Sequence, residues 1–205
     1  MKLLYITNGI TGVGGLERVL SIKASYLADT MGYDVHIVSL NESGKNFFYD
    51  FSPSISFHTI EVGKKKKLYF TGLRRLVRDV RPDVISVCDD GLKGFSIPLW
   101  IGGRAKIIYE RHISKEMITL GNKPNLRQKV SFILMNMGSR LFDRFVVLTG
   151  DNRSQWKGRN VTVIPNPLSF YPEEVSALDR KRIIAVGKVT RQKGYDRLAE
   201  AWKLI

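Results

Sequence analysis

The sequence predicts an α/β protein built on an open, doubly wound, mostly parallel sheet, and three observations predict it. Short β-rich apolar runs alternate with amphipathic stretches along the chain. Most of these runs are nearly continuously apolar, as expected of strands covered on both faces. The stretches between them carry apolar residues at helical spacing. Alternation of this kind produces a sheet with helices on both sides.

The runs at 3–7, 34–40, 55–60, 83–87, 106–109, 144–148, 161–164 and 182–186 are the expected strands. Over 16–31, Leu16, Leu20, Ala24, Leu27, Ala28 and Met31 share one helical face. Tyr69, Leu73, Leu76, Val77 and Val80 make a second buried stripe, and Pro82 stops that helix. Leu126, Val130, Ile133, Leu134, Met137 and Leu141 make a third, and the apolar run 132–137 is expected to be buried. Residues 1–168 form the expected first domain. The stretch 169–181, with Pro172 and two consecutive glutamates, reads as a linker. A strand at 182–186 and a helix from about Tyr195 then open a second domain. A strand and one helix cannot bury a core, so 182–205 is expected to be a truncated start.

Apolar residues make up 43% of the 205 and charged residues 25%, which fits a packed core and not a disordered chain. The single cysteine, Cys88, rules out an internal disulfide, and no Cys/His spacing suggests zinc. A reducing cytoplasmic setting is expected. No uninterrupted apolar run approaches the ~18 residues of a membrane span. The net charge of +14 points to an anionic partner: nucleic acid, a phosphorylated metabolite or an acidic lipid surface. No helix–turn–helix, RNA-recognition or zinc-finger signature accompanies the charge, so nucleic acid is not expected.

In doubly wound sheets ligands bind beyond the carboxyl ends of the strands. The turns that matter are therefore 8–17, 88–94, 110–115, 149–152 and 165–168. The first follows a strand, opens a helix and contains Gly9, Gly12, Gly14 and Gly15. Glycines let backbone amides approach an anion, and a helix start adds a favourable dipole. The dinucleotide pattern G-x-G-x-x-G fails, because counting from Gly12 and Gly14 its third glycine position is Glu17. A P-loop fails too, lacking Lys and Ser/Thr after the last glycine. A plain tight turn remains the alternative.

Gly14-Gly15-Leu16-Glu17-Arg18 resembles the Gly-Gly-x-Glu-Arg loop of family 4 glycosyltransferases, which have the GT-B fold of two Rossmann-like domains. Four more segments are similar in order. Arg81-Pro82-Asp83-Val84-Ile85 resembles the family's Lys/Arg-Pro-Asp-Val-Ile strand, and Tyr109-Glu110-Arg111-His112 its Ser-Glu-Arg/His-Asn/His turn. Ile164-Pro165-Asn166-Pro167 resembles the segment before the interdomain linker. Val186-Gly187-Lys188-Val189-Thr190-Arg191-Gln192-Lys193-Gly194 resembles the opening of the donor domain.

The resemblance implies transfer of a sugar from a nucleotide-diphosphate sugar to a hydroxyl of a glycan or lipid-linked saccharide, with retention and without a metal cofactor. It places Gly14 and Gly15 at the donor diphosphate, with Lys188 and Lys193 contacting it from the second domain. Lys188 stands where the family usually has Arg, so charge is kept and planar geometry lost. Glu17, Arg18 and Glu110 are expected at the acceptor. His112 is expected at the reacting centre, with Arg111 beside it binding phosphate or acceptor. Asp89-Asp90 are adjacent and read as a helix cap, not a metal motif. His36 and His58 lie in strands and read as structural.

Residues 64–81 hold eight cations against one acid, Asp79. Arg74, Arg78 and Arg81 fall on the side of their helix opposite the apolar stripe. Such a face can hold a protein at an anionic membrane, which gives a peripheral position at the inner leaflet. A solvated helix face is the alternative. For the chain as a whole, the alternative to a transferase half is a non-catalytic module that binds a nucleotide or phosphate ligand.

Overall fold

The structure, a computed structural model, describes residues 1–63, 67–89, 91–119, 122–175, 177, 179–180, 182–187, 189–190 and 193–204, apart from the side chains of 67 and 116. Lys64, Lys65, Lys66, Asp90 and Lys188 lie outside the described residues.

Seven strands pair in parallel: β1 (Lys2–Thr7), β2 (Asp34–Leu40), β3 (Ser56–Ile60), β4 (Val84–Cys88), β5 (Lys106–Arg111), β6 (Arg144–Val147) and β7 (Val161–Val163). Their order is β3-β2-β1-β4-β5-β6-β7. The chain winds outward from β1 to β3 and then returns to the other side of β1. That reversal opens a crevice beyond the carboxyl ends of β1 and β4. The helices are α1 (Gly15–Asp29), α2 (Lys67–Val80), α3 (Leu92–Ile101), α4 (Lys115–Thr119), α5 (Leu126–Gly138), α6 (Gly150–Ser154) and α7 (Tyr195–Trp202), with a 3-10 turn at Ser139–Leu141.

The continuously apolar strands are explained by two cores, one on each face. Leu3, Tyr5, Val35 and Ile37 point to the side of α1, where Leu20, Ala24 and Ala28 meet them. Leu4, Ile6, Ile85, Val87 and Phe145 point to the other side, against Tyr69, Leu73 and Val77 of α2 and Phe95 of α3. On that side Phe95 stacks on Tyr109 at 4.5 Å between centroids, Tyr109 on Phe145 at 5.0 Å, and Trp156 lies 4.3 Å from Phe145. Each such aromatic pair adds about 0.5–1.5 kcal/mol to the area it buries. His36 and His58 stack within β2 and β3, ring nitrogens 2.9 Å apart, as structural residues do.

Three expectations change. The stripe of α5 is not core: Ile133 is 59% exposed and Met137 60%, and only Met135 of the helix is buried. The helix instead approaches α3 through Gly138, where a Cβ would stand 2.9 Å from that of Phe95. Periodicity identified the amphipathic helix but not which of its sides faces the sheet. The stretch 182–186 is not a strand. No neighbouring strand pairs with it among the described residues, and a lone extended segment has no ladder to hold it. Third, α3 fills a stretch that showed no helical period. It carries Pro98 internally and needs Gly94, whose Cβ would stand 2.6 Å from the Asp89 carbonyl.

No helix among the described residues is long and apolar enough to cross a membrane.

Candidate functional site

The glycine corner leaves β1 and ends at Gly14, the N-cap of α1, which offers no side-chain cap to the first helical amides. Glu17 lies under the corner: its Oε1 is 2.7 Å from where a Cβ on Gly12 would stand, and its carboxylate also crowds the equivalent point on Gly14. Gly15 differs. A Cβ there would meet nothing within 4 Å, so the fold itself does not require glycine at this position. The free helix amides, the dipole and the open space all favour an anion arriving at Gly15. Arg18, one turn along, is exposed.

Two partners that the sequence did not indicate hold the corner. Glu42, just after β2, accepts the Ile10 amide at 2.8 Å, the Thr11 amide at 3.3 Å and the Thr11 hydroxyl at 2.6 Å. Burial pushes the Glu42 carboxyl up, but these hydrogen bonds outweigh it and leave the group below the ordinary carboxylate range. Lys93 of α3 reaches Asn8 and pairs with the buried Asp89 at 3.0 Å. Asp89 also accepts the Gly91 amide at 2.9 Å, but Gly91 is itself the N-cap of α3 and no side chain caps the first turn, so Asp89 does not take the helix-cap role expected of it.

Beside Glu42 and Thr11 lies a cavity of about 210 Å3. Its walls combine Ser39, His58 and Thr59 with the rings of Phe47 and Phe57.

The second cluster sits at the end of β5. This strand runs to Arg111, two residues beyond its expected end, so Glu110 and Arg111 alternate faces instead of sharing a turn. Glu110 points toward α1. Its carboxylate accepts the Ser86 hydroxyl at 2.6 Å, meets the Lys23 ammonium and lies 3.6 Å from His112 Nε2. Burial pushes the Glu110 carboxyl up, but the neighbouring His112 ring and the hydrogen bonds from Lys23 and Ser86 prevail and bring it down to about 2. Glu110 is thus an anchor with its oxygens engaged, holding His112 from within, and does not stand open to an acceptor as expected. Arg111 points the other way, with Tyr109, and is 1% exposed. Buried in this way, the Arg111 guanidinium is not on the surface of the cleft, where a contact with phosphate or acceptor was expected. Nearby Lys115 donates to Asn136 at 2.8 Å and to the Gln155 carbonyl at 2.7 Å, and lies 3.8 Å from the Trp156 ring centroid. It ties α4, α5 and α6 together.

Among the described residues, Cys88, Glu110 and His112 bring one ligand atom each to within 4.8 Å of one another. A cation entering there would compete with the Lys23 ammonium for Glu110.

The glycine corner, Lys93 and the His112 cluster share one edge of the adjacent strands β1, β4 and β5. Lys193 is exposed and donates its amide to Thr190 at 3.0 Å. No hydrogen bond or ion pair joins it to the glycine corner among the described residues.

Residues 13–169 match the model of Glycosyltransferase Family 4. The whole chain is 27% identical to an uncharacterized glycosyltransferase of Haemophilus influenzae. Over 98% of its length it is 27% identical to the amylovoran biosynthesis glycosyltransferase AmsD of Erwinia amylovora. It spans 58% of the length of each of these relatives. Its backbone is similar to that of sucrose-phosphate synthase from Thermosynechococcus elongatus, with a TM-score of 0.64 and 10% identity over 80% of this chain and 47% of that one. It is also similar to Anabaena HepE, whose structure contains UDP and glucose: TM-score 0.55, 14% identity, 82% of this chain and 45% of that one. With a sheet of the matching kind and a family match over most of its length, the chain belongs to glycosyltransferase family 4.

Proposed function

We propose that this chain supplies the acceptor side of a retaining sugar transfer from a nucleotide-diphosphate sugar to a hydroxyl of a glycan or lipid-linked saccharide. The supporting observation is the open helix start at Gly15, on the same edge of the sheet as His112 held by Glu110. The leaving group is a diphosphate, so stabilising its developing charge is the main task. Amides at Gly14 and Gly15 meet that charge from one side. Lys188 and Lys193, at the start of the donor half beginning near residue 182, meet it from the other, and no resident metal is needed. His112 contacts the transferred sugar, and Glu110 fixes the ring through its ion pair with Lys23. The cavity beside Glu42 suits a sugar ring, combining aromatic faces with hydroxyl partners, and seats the acceptor near Glu17 and Arg18. The exposed arginines of α2 set the enzyme against an anionic membrane at the inner leaflet.

In this reading the 205-residue chain binds but does not turn over, since its relatives are longer and the donor half completes the site. A nucleotide-sugar panel assayed on the whole protein with saccharide and lipid-linked acceptors tests it. Transfer with retained anomeric configuration is expected from one donor. Tight nucleotide binding without transfer to any acceptor supports the non-catalytic module instead.

A further inference from the structure

We infer that a second anion site, specific for a phosphomonoester or diphosphate group, lies at the amino edge of the sheet, opposite the transfer cleft. A hollow of about 640 Å3 opens there between the end of α2 and the loop joining α3 to β5. Arg74, Arg78 and Arg81 line it from one side and Arg104 from the other. The residues leading into β4 and β5 form its floor, which fixes its position at the end of the strands away from Gly15 and His112.

Three features point to a phosphoryl ligand. The first is charge. Four arginines line a hollow whose one lining carboxylate, Asp83, already accepts the Lys2 amide at 2.7 Å. Among the described residues only Arg78 of the four has an acidic neighbour, Asp79 at 3.9 Å. Like charges gathered in this way repel, and a multivalent anion relieves the repulsion. Arginine is also the side chain that grips phosphate oxygens in pairs. The second is backbone strain at a wall residue. Arg81 has φ +52, a left-handed conformation that glycine or asparagine adopts more readily. An arginine held there keeps its guanidinium at the hollow at a conformational cost. The third is the opposite wall. Gly102 and Gly103 have φ +56 and +115, and a Cβ on either would meet nothing within 4 Å. The wall is bare backbone beside open space, so a ligand can approach its amides closely.

The transfer chemistry does not enter this inference, because none of its residues lies in the cleft. Arg74 and Arg78 are shared with the membrane contact proposed above, which the lipid outcome of the test would keep and the soluble-ligand outcome would remove. The site takes a group bearing two or more negative charges, carried either by a soluble diphosphate or by a lipid headgroup.

The test is a titration of the 15N-labelled chain with inorganic pyrophosphate, followed at backbone amides. The Gly102, Gly103 and Arg104 amides should shift and saturate. The double variant Arg78→Gln/Arg104→Gln should weaken that saturation at least tenfold. Its melting temperature should not change, since both side chains are exposed. Shifts at Gly14 and Gly15 report the cleft separately and should survive the double variant. Shifts confined to the cleft, linear drift without saturation at Gly102–Arg104, or affinity retained in the double variant would each overturn the site. A second arm uses phosphatidylcholine vesicles with and without phosphatidic acid. Arginine-dependent binding to the acidic vesicles assigns the phosphate to a lipid, and pyrophosphate saturation without vesicle binding assigns it to a soluble ligand.

Discussion

The Lys23 ammonium of α1 meets the Glu110 carboxylate of β5, tying the helix that starts at the glycine corner to the strand that presents His112. Glu110 is 13% exposed and Lys23 26%. Lys23→Met therefore leaves a largely buried carboxylate without its cation, at a cost of roughly 3 kcal/mol. Urea unfolding of Lys23→Met, Glu110→Gln and the pair should show the double variant less destabilised than the sum of the singles. Strict additivity would mean that the two groups do not act together.

The same carboxylate sets part of the acid stability. Its carboxyl titrates at about 2 in the fold against an ordinary 4.5. Between those values the unfolded chain binds more protons than the folded one. The stability contributed, on the order of 3 kcal/mol, is therefore whole above the unfolded value and is lost as pH falls through the folded value. Unfolding midpoints measured from about pH 6 down to about pH 3 should fall more steeply for the natural chain than for Glu110→Gln. Parallel curves would contradict this account of Glu110.

Gly15→Ala separates folding from function. The added methyl enters open space, so thermal stability should change by no more than about 0.5 kcal/mol. If the diphosphate arrives at this amide in the whole protein, as proposed, the methyl meets it and transfer should fall at least tenfold. Unchanged transfer would show that the diphosphate does not approach this amide.

Glu42→Gln tests the clamp on the glycine corner. Replacing the charged acceptor of two amides and one hydroxyl should cost about 1–2 kcal/mol. Amide exchange at Ile10 and Thr11 should speed up, while the centre of β1 keeps its protection.

Much of this was legible in the residues. The seven paired strands follow from continuous apolar runs, and the buried sides of α1 and α2 follow from Leu20, Ala24, Leu73 and Val77. The glycine corner and His112 were marked by local motifs. What escaped was long-range. Lys23, Glu42, Ser86 and Lys93 act across the chain, and no local pattern marks them. The orientation of Arg111 depended on two further residues of β5, because each added strand residue flips the next side chain to the other face. The exposure of Ile133 and Met137 escaped for a related reason: helical period gives a face but not its neighbour.

The central claim is that sugar transfer takes place at the carboxyl edge of the sheet, where His112 meets the transferred sugar. Its most direct test is the transfer rate of the whole protein carrying His112→Ala, measured beside the unmodified protein with the donor and acceptor it uses. Measured well below the variant's own melting transition, the rate should fall by about a hundredfold or more. A rate within twofold of the unmodified protein would place the chemistry elsewhere.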